Sequence, residues 1–166
     1  MEGSTLTHLD REGRAQMVDV SQKNSTSRVA VASCMVKMGK KAMEALVEKS
    51  VPKGDVYSTA RIAGILAAKR VDELIPLCHP LPLNFVQVEF ELLPDVQTVK
   101  ITAEARTDAK TGVEMEAMTA VSIAALTVYD MLKGIEKGIT ITDIQLEYKS
   151  GGKSGVWKRG DCSPTL

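Results

Sequence analysis

Aromatic side chains make up only 4% of this 166-residue chain, too few for a base-stacking surface that reads single-stranded nucleic acid. An excess of charge is also lacking. Twenty-one basic residues balance 21 acidic ones, which argues against bulk attraction to nucleic acid or to an anionic membrane. Cysteine is scarce: Cys34, Cys78 and Cys162 are odd in number and form no CxxC pair. Reduced thiols in a cytoplasmic protein are therefore expected, not a disulfide framework or a zinc ribbon. No charged-then-apolar leader opens the sequence, and no uninterrupted apolar run approaches ~18 residues. A soluble, cytoplasmic protein is expected unless a longer precursor has been trimmed. The length suits one domain with a real core, and no internal repeat is visible.

What is present divides into an arm (1–26), a single α+β domain (27–158) and a tail (159–166) expected to be disordered. Arg28 to Lys37 alternates and is rich in β-branched residues, which predicts a strand. Lys40 to Lys49 has helical spacing at Ala42, Ala45, Leu46 and Lys49. Pro52-Lys53-Gly54 breaks it, and Asp55 or Ser58 caps a second helix running to about Arg70. Its larger apolar residues, Ile62, Ile65 and Leu66, share one face. Pro76, Pro80 and Pro82 then rule out a helix or an inner strand and predict a stiff loop. Phe85 to Leu92 and Thr98 to Thr107 alternate around a Pro94-Asp95 turn, which predicts a hairpin with Val86, Val88, Phe90 and Leu92 inward. A long helix follows within Lys110 to Lys133, then a strand from Ile141 to Tyr148. The order β-α-α-β-β-α-β predicts an α+β fold of ferredoxin-like type, with helices packed on one face of an antiparallel sheet.

The long helix is the most informative segment. Ala117 to Tyr129 carries no ionisable group except Tyr129, and a helix apolar all round is normally buried. Charge sits only at its ends. Glu114 and Glu116 complement the positive end of the helix dipole, whereas Asp130 opposes the negative end and needs a partner, which Lys133 three residues on can supply. Glu114 and Asp130 are ~24 Å apart along a straight helix at 1.5 Å per residue, too far for one small-molecule site. Two copies related by a two-fold axis would bring one copy's helix start to the other's end. Ala117, Ala120, Ser122, Ala124 and Ala125 would allow such close approach. A plain core helix with exposed ends is the alternative.

Other candidates carry two readings each. His79, on the proline-stiffened loop, is either a satisfied structural histidine or a rigidly placed binding group. Adjacent Cys78 does not make a metal site, because neighbouring residues rarely reach one ion and no other Cys/His cluster accompanies them. Lys53 is either an exposed turn lysine or, ahead of a helix N-terminus, an amine whose pKa the dipole lowers for acid–base work. Lys149-Ser150-Gly151-Gly152-Lys153-Ser154-Gly155 is either a flexible linker or an anion cradle of glycine N–H groups, hydroxyls and two lysines. It is not a Walker A loop: Glu147 stands where the first glycine belongs, and no helix follows. Arg28, Arg61, Lys69 and Arg70 can add charge or be solvated surface. His8, in the arm, reads as solvated.

LIPLCHPL at 74–81, KTGVEMEAMTAVSIAALTVYDMLK at 110–133 and KSGGKSG at 149–155 closely resemble the molybdenum-cofactor biosynthesis protein C family. MVDV at 17–20 and KGDVYSTARIAGILAAKR at 53–70 are similar to it as well, so the resemblance spans about residues 6–158. It implies a lyase that converts 3′,8-cyclo-7,8-dihydro-GTP into cyclic pyranopterin monophosphate and releases pyrophosphate. It implies a ferredoxin-like subunit in a homohexamer, a trimer of dimers with shared active sites. It also implies residue roles. Lys53, Asp130 and Lys133 carry acid–base chemistry, with Asp130 orienting Lys133 and the choice of acid and base left open. His79, with Leu77 and Cys78, binds substrate or relays a proton. Glu114 and Glu116, helped by the Met115 backbone, accept N–H donors of the guanine-derived ring. Lys149, Lys153 and Arg28 hold the triphosphate. No dedicated cofactor is expected, though Mg²⁺ can accompany the triphosphate. A non-catalytic nucleotide-binding regulatory module of the same fold is the competing function, since fold alone does not set activity.

Overall fold

The computed structural model describes residues 9–10 and 12–161. His8, Cys162 and the rest of the expected tail lie outside the described residues. The chain runs β1 (Thr26–Lys37), α1 (Lys40–Val47), α2 (Val56–Ala68), a one-turn α3 (Val71–Leu74), β2 (Leu83–Leu93), β3 (Thr98–Ala109), α4 (Glu114–Leu132), β4 (Thr140–Ser150) and a short β5 (Trp157–Lys158). The sheet order is β2-β3-β1-β4-β5, with every neighbouring pair antiparallel. The first four strands form the ferredoxin-like split βαβ pattern that the element order predicted.

Register explains the core. Ala30, Ala32, Cys34 and Val36 of β1 stand opposite Ala105, Ala103, Ile101 and Val99 of β3. Val86, Val88, Phe90 and Leu92 of β2 stand opposite those same β3 residues. Because side chains alternate at period two, these twelve share the face on which the helices lie. The four on β1, the four on β3 and Val88 are fully buried. The hairpin turn is a 3-10 segment, Pro94–Val96, closed by Gln97 in the left-handed region at φ 50.

Helix α4 crosses this face. By length and composition it could span a bilayer; here it is the core helix, with Ala117, Ala120, Val121, Ala124, Ala125, Val128 and Leu132 fully buried. This corrects the role expected of its small residues. The four alanines pack inside the subunit rather than leaving room for a second copy. Gly64 of α2 shows why: a Cβ there would stand 2.9 Å from the Ala120 carbonyl oxygen. The α2–α4 approach demands small residues on both sides, so α2 buries Ala60, Gly64, Ala67 and Ala68. Of the expected apolar face only Ile65 packs against the core, while Ile62 and Leu66 turn outward, 59% and 50% exposed.

Residues 159–161, the described part of the expected tail, make contacts with the sheet edge. Arg159 donates its main-chain N–H to the Glu147 carbonyl and its Nε to the Leu146 carbonyl, both at 2.8 Å. These bonds extend the ordered edge through β5 to Asp161. Composition carries no signal for such a contact, whose partners Glu147 and Leu146 lie 12 and 13 residues upstream.

Candidate functional site

The two ends of α4 carry two separate groups of polar side chains. At its C-terminal end, Asp130 accepts from Lys133 Nζ at 2.7 Å and from Lys53 Nζ at 2.8 Å. Lys53 also donates to the Asp130 main-chain carbonyl at 2.7 Å, one of the orphan acceptors of a helix terminus. Hydrogen bonds from Lys133 and then Lys53 hold the Asp130 carboxyl down to about 2. The same partnership raises the Lys133 ammonium above its ordinary range. Lys53 is placed here by a tight turn that Gly54 allows at φ 93, just ahead of α2. The Asp55 carboxylate caps that helix on the Ser58 N–H at 3.0 Å. The closest partners of Lys53 are thus a carboxylate and a main-chain carbonyl.

At the other end lies a cleft of about 870 Å³, walled by Arg28, Lys110, Glu114, Lys149, Gly151, Gly152 and Lys153 among others. The sheet builds it. Residues 149–150 end β4 beside Val29 and Ala30 of β1, and the Lys110–Val113 turn leads from β3 into α4. Lys149 Nζ meets Glu114 at 3.0 Å, an ion pair joining residues 35 positions apart. Gly151 and Gly152 have φ of 100 and 71, a region open to glycine. A Cβ at Gly152 would also overlap the Arg28 guanidinium, and one at Gly151 the Ser27 carbonyl. The glycines thus let the loop close on Arg28. Arg28 Nε is buried without a hydrogen-bond partner, an orphan donor in the wall of a cationic cleft.

The first turn of α4 also holds Met115, half-buried, and Glu116, only 3% exposed. Burial, added to by the charges of Glu114 and Asp72, pushes the Glu116 carboxyl up to about 7. At neutral pH it is therefore divided between carboxylate and acid, so it can donate as well as accept. Leu77, Cys78 and His79 are half-buried on the proline loop and do not wall the cleft. Burial raises the Cys78 thiol, with Glu116 and Asp72 contributing, which places this loop within electrostatic reach of the α4 start. His79 Nε2 donates to the Val18 carbonyl at 2.9 Å, a contact to the arm. Cys34 is a core residue, its thiol pushed up to about 12 by burial.

Most expected site residues are thus gathered, but into two groups. Arg61 lies elsewhere, its Nε bonded to the Val88 carbonyl at 3.0 Å. Lys23, Asn24 and Lys110 join the cleft and were not expected. Lys23 read as part of a polar arm, and Lys110 as the first residue of a helix that in fact starts at Glu114. Among the described residues no cluster of three or more His, Cys, Asp or Glu side chains is set to hold a metal. The cleft's donors suit an anion, and its one carboxylate group, Glu114, is already engaged by Lys149.

Residues 17–152 match the MoaC family. The chain is 56% identical over 154 residues to the cyclic pyranopterin monophosphate synthase of Bordetella pertussis, covering 93% of this chain and 96% of that protein. It is 53% identical over 156 residues to that of Thermomicrobium roseum, with 94% of each covered. To that of Streptomyces coelicolor it is 54% identical over 154 residues, covering 93% of this chain and 89% of the relative. A match across the sheet, both ends of α4 and the glycine loop establishes that the chain belongs to the MoaC family.

Proposed function

We propose that this chain is a cyclic pyranopterin monophosphate synthase of molybdenum-cofactor biosynthesis, a lyase acting on 3′,8-cyclo-7,8-dihydro-GTP. The observation that carries the reading is the pairing of a lysine–aspartate–lysine cluster at one end of α4 with a cationic cleft at the other. The reaction needs proton transfers on a ring and control of a polyanionic triphosphate. Arg28, Lys149 and Lys153 provide the second, with the orphan Arg28 donor turned to a phosphate oxygen. Lys53 and Lys133 provide the first. Asp130 holds both ammonium groups in place until substrate competes for it. Glu114, Glu116 and the Met115 backbone face the ring's polar edge, and the 77–79 loop closes that side. Mg²⁺ would accompany the triphosphate as its counter-ion.

The two groups are ~24 Å apart along α4, so one copy does not bring them to one substrate. A complete site in this reading takes Lys53, Asp130 and Lys133 from one subunit and the cleft from its neighbour, within a homohexamer built as a trimer of dimers. Ile62 and Leu66 on α2 and Leu126 on α4, each at least half exposed, support an assembly that covers this region. The protein is expected in the cytoplasm.

The test supplies freshly made 3′,8-cyclo-7,8-dihydro-GTP and follows pyrophosphate and pterin product together by mass spectrometry. Both products form with the native protein, and both are lost in Lys53→Ala while ligand affinity stays within a few-fold. A folded oligomer that binds the compound without turnover would instead identify a nucleotide-binding regulatory module.

A further inference from the structure

The arm ahead of β1 is held at two points, one of them on the cleft residue Lys110. The Val18 carbonyl accepts from His79 Nε2 at 2.9 Å, and the Ser21 carbonyl accepts from Lys110 Nζ at 2.8 Å. Between these anchors the Asp19 carboxylate accepts from the Ser21 N–H at 2.8 Å and turns the chain. Gln22, Lys23 and Asn24 then run along the cleft wall. Met17, Asp19 and Ser21 to Asn24 are exposed and only Val18 and Val20 are half-buried, so packing is confined to those two valines and side-chain anchors hold the rest. Lys110 is half-buried and touches both sides of the cleft: its ammonium binds the arm, and its carbonyl accepts from Arg28 Nη2 at 3.5 Å. Arg28 is the residue whose Nε is left buried and unpartnered.

We propose that Lys110 is a positioning residue, which ties residues 18–24 down along the cleft and steadies the Arg28 guanidinium, so that Lys23 and Arg28 are presented together to a polyphosphate. The inference rests on the triphosphate reading of the cleft given above. Lys110 does not act on the phosphate itself. A charge-assisted bond from its ammonium to a main-chain carbonyl orders the segment that carries Lys23. Ordering the arm before the ligand arrives spares the ligand that entropic cost, which raises affinity without any new contact.

The test uses the full chain and two readouts, with Lys110→Met keeping the aliphatic stem and the main-chain carbonyl. In Lys110→Met, amide hydrogen exchange at Val18–Asn24 should rise about tenfold without ligand, and inorganic triphosphate should bind about tenfold more weakly. In turnover KM should rise while kcat stays within about twofold. Lys110→Arg should restore all of these, which guards against a variant that merely misfolds. Weaker triphosphate binding with unchanged exchange would mean that Lys110 meets the anion directly and overturns the proposal. Faster exchange with unchanged binding would overturn it too, since the arm would then be tethered to no effect. Native protein that takes up no inorganic triphosphate would count against the cleft reading and remove the basis of this one, whatever the exchange data show.

Discussion

Lys53 grips Asp130 twice, donating to its carboxylate at 2.8 Å and to its main-chain carbonyl at 2.7 Å. The residues lie 77 positions apart, so a turn before α2 caps the end of α4. Both partners are about half exposed, 45% and 53%, and pairs this exposed contribute little to stability. The arrangement therefore serves the placement of an ammonium group more than the fold. Asp130→Asn should lower turnover by at least about 100-fold, the range of a lost acid–base arrangement, with the thermal midpoint shifting by only a few degrees. A large fall in midpoint, measured by circular dichroism, would reassign the cluster to structure.

If active sites are shared between copies, defects at opposite ends of α4 should complement. Asp130→Asn and Lys149→Ala are each expected to be nearly inactive. Co-expressed, half of the randomly formed dimers are mixed and hold one intact site in two, which gives about a quarter of native activity. Recovery of nothing beyond the sum of the two variants, in an assembly shown to contain both chains, would rule out a shared site.

Glu116 makes stability depend on pH in a defined direction. Its carboxyl is raised from 4.5 to about 7 by burial, so between these values the folded protein holds a proton that the unfolded chain releases. Stability should fall as pH rises through that window and level off above it, a contribution of about 3 kcal/mol. Urea unfolding at pH 5 and pH 8 should show this difference in native protein and lose most of it in Glu116→Gln. Equal slopes in the two proteins would mean that another group titrates there.

Gly64 tests the packing of α2 on α4. Alanine in place of a helical glycine ordinarily stabilises by about 1 kcal/mol. At Gly64 the added Cβ would lie 2.9 Å from the Ala120 carbonyl oxygen and 3.2 Å from Val88 Cγ2, and backbone does not give way cheaply. Gly64→Ala should therefore destabilise by about 1–3 kcal/mol, read from chemical denaturation midpoints. A stabilised variant would show that the two helices are free to separate.

Much of this protein follows from local rules. The alternation of Phe85 to Leu92 and Thr98 to Thr107 specified the hairpin and its inward face, because side chains on a strand repeat every two residues. Asp55 before an apolar run marked a helix start, and Asp130 at the negative end of α4 implied a cationic partner. Lys133 was legible as that partner, being three residues away on the same face. The family likeness added the roles that spacing does not carry.

Tertiary structure decided everything that depends on residues far apart in the chain. The sheet order sets β4 beside β1, and only that brings Lys149 and the Gly151–Gly152 turn to Arg28 and Glu114. Packing of α2 on α4 decides that Ala60 and Gly64 are buried while Ile62 and Leu66 stand out, reversing the order of hydrophobicity: close helix approach is limited by side-chain size before it is rewarded by apolar area. The Lys53–Asp130 contact, the Lys110–Ser21 contact and the bonds of Arg159 to β4 are likewise products of the assembled sheet and helices. Each closes a loop whose two ends have no short-range signal for one another, which is why composition and periodicity do not reveal them.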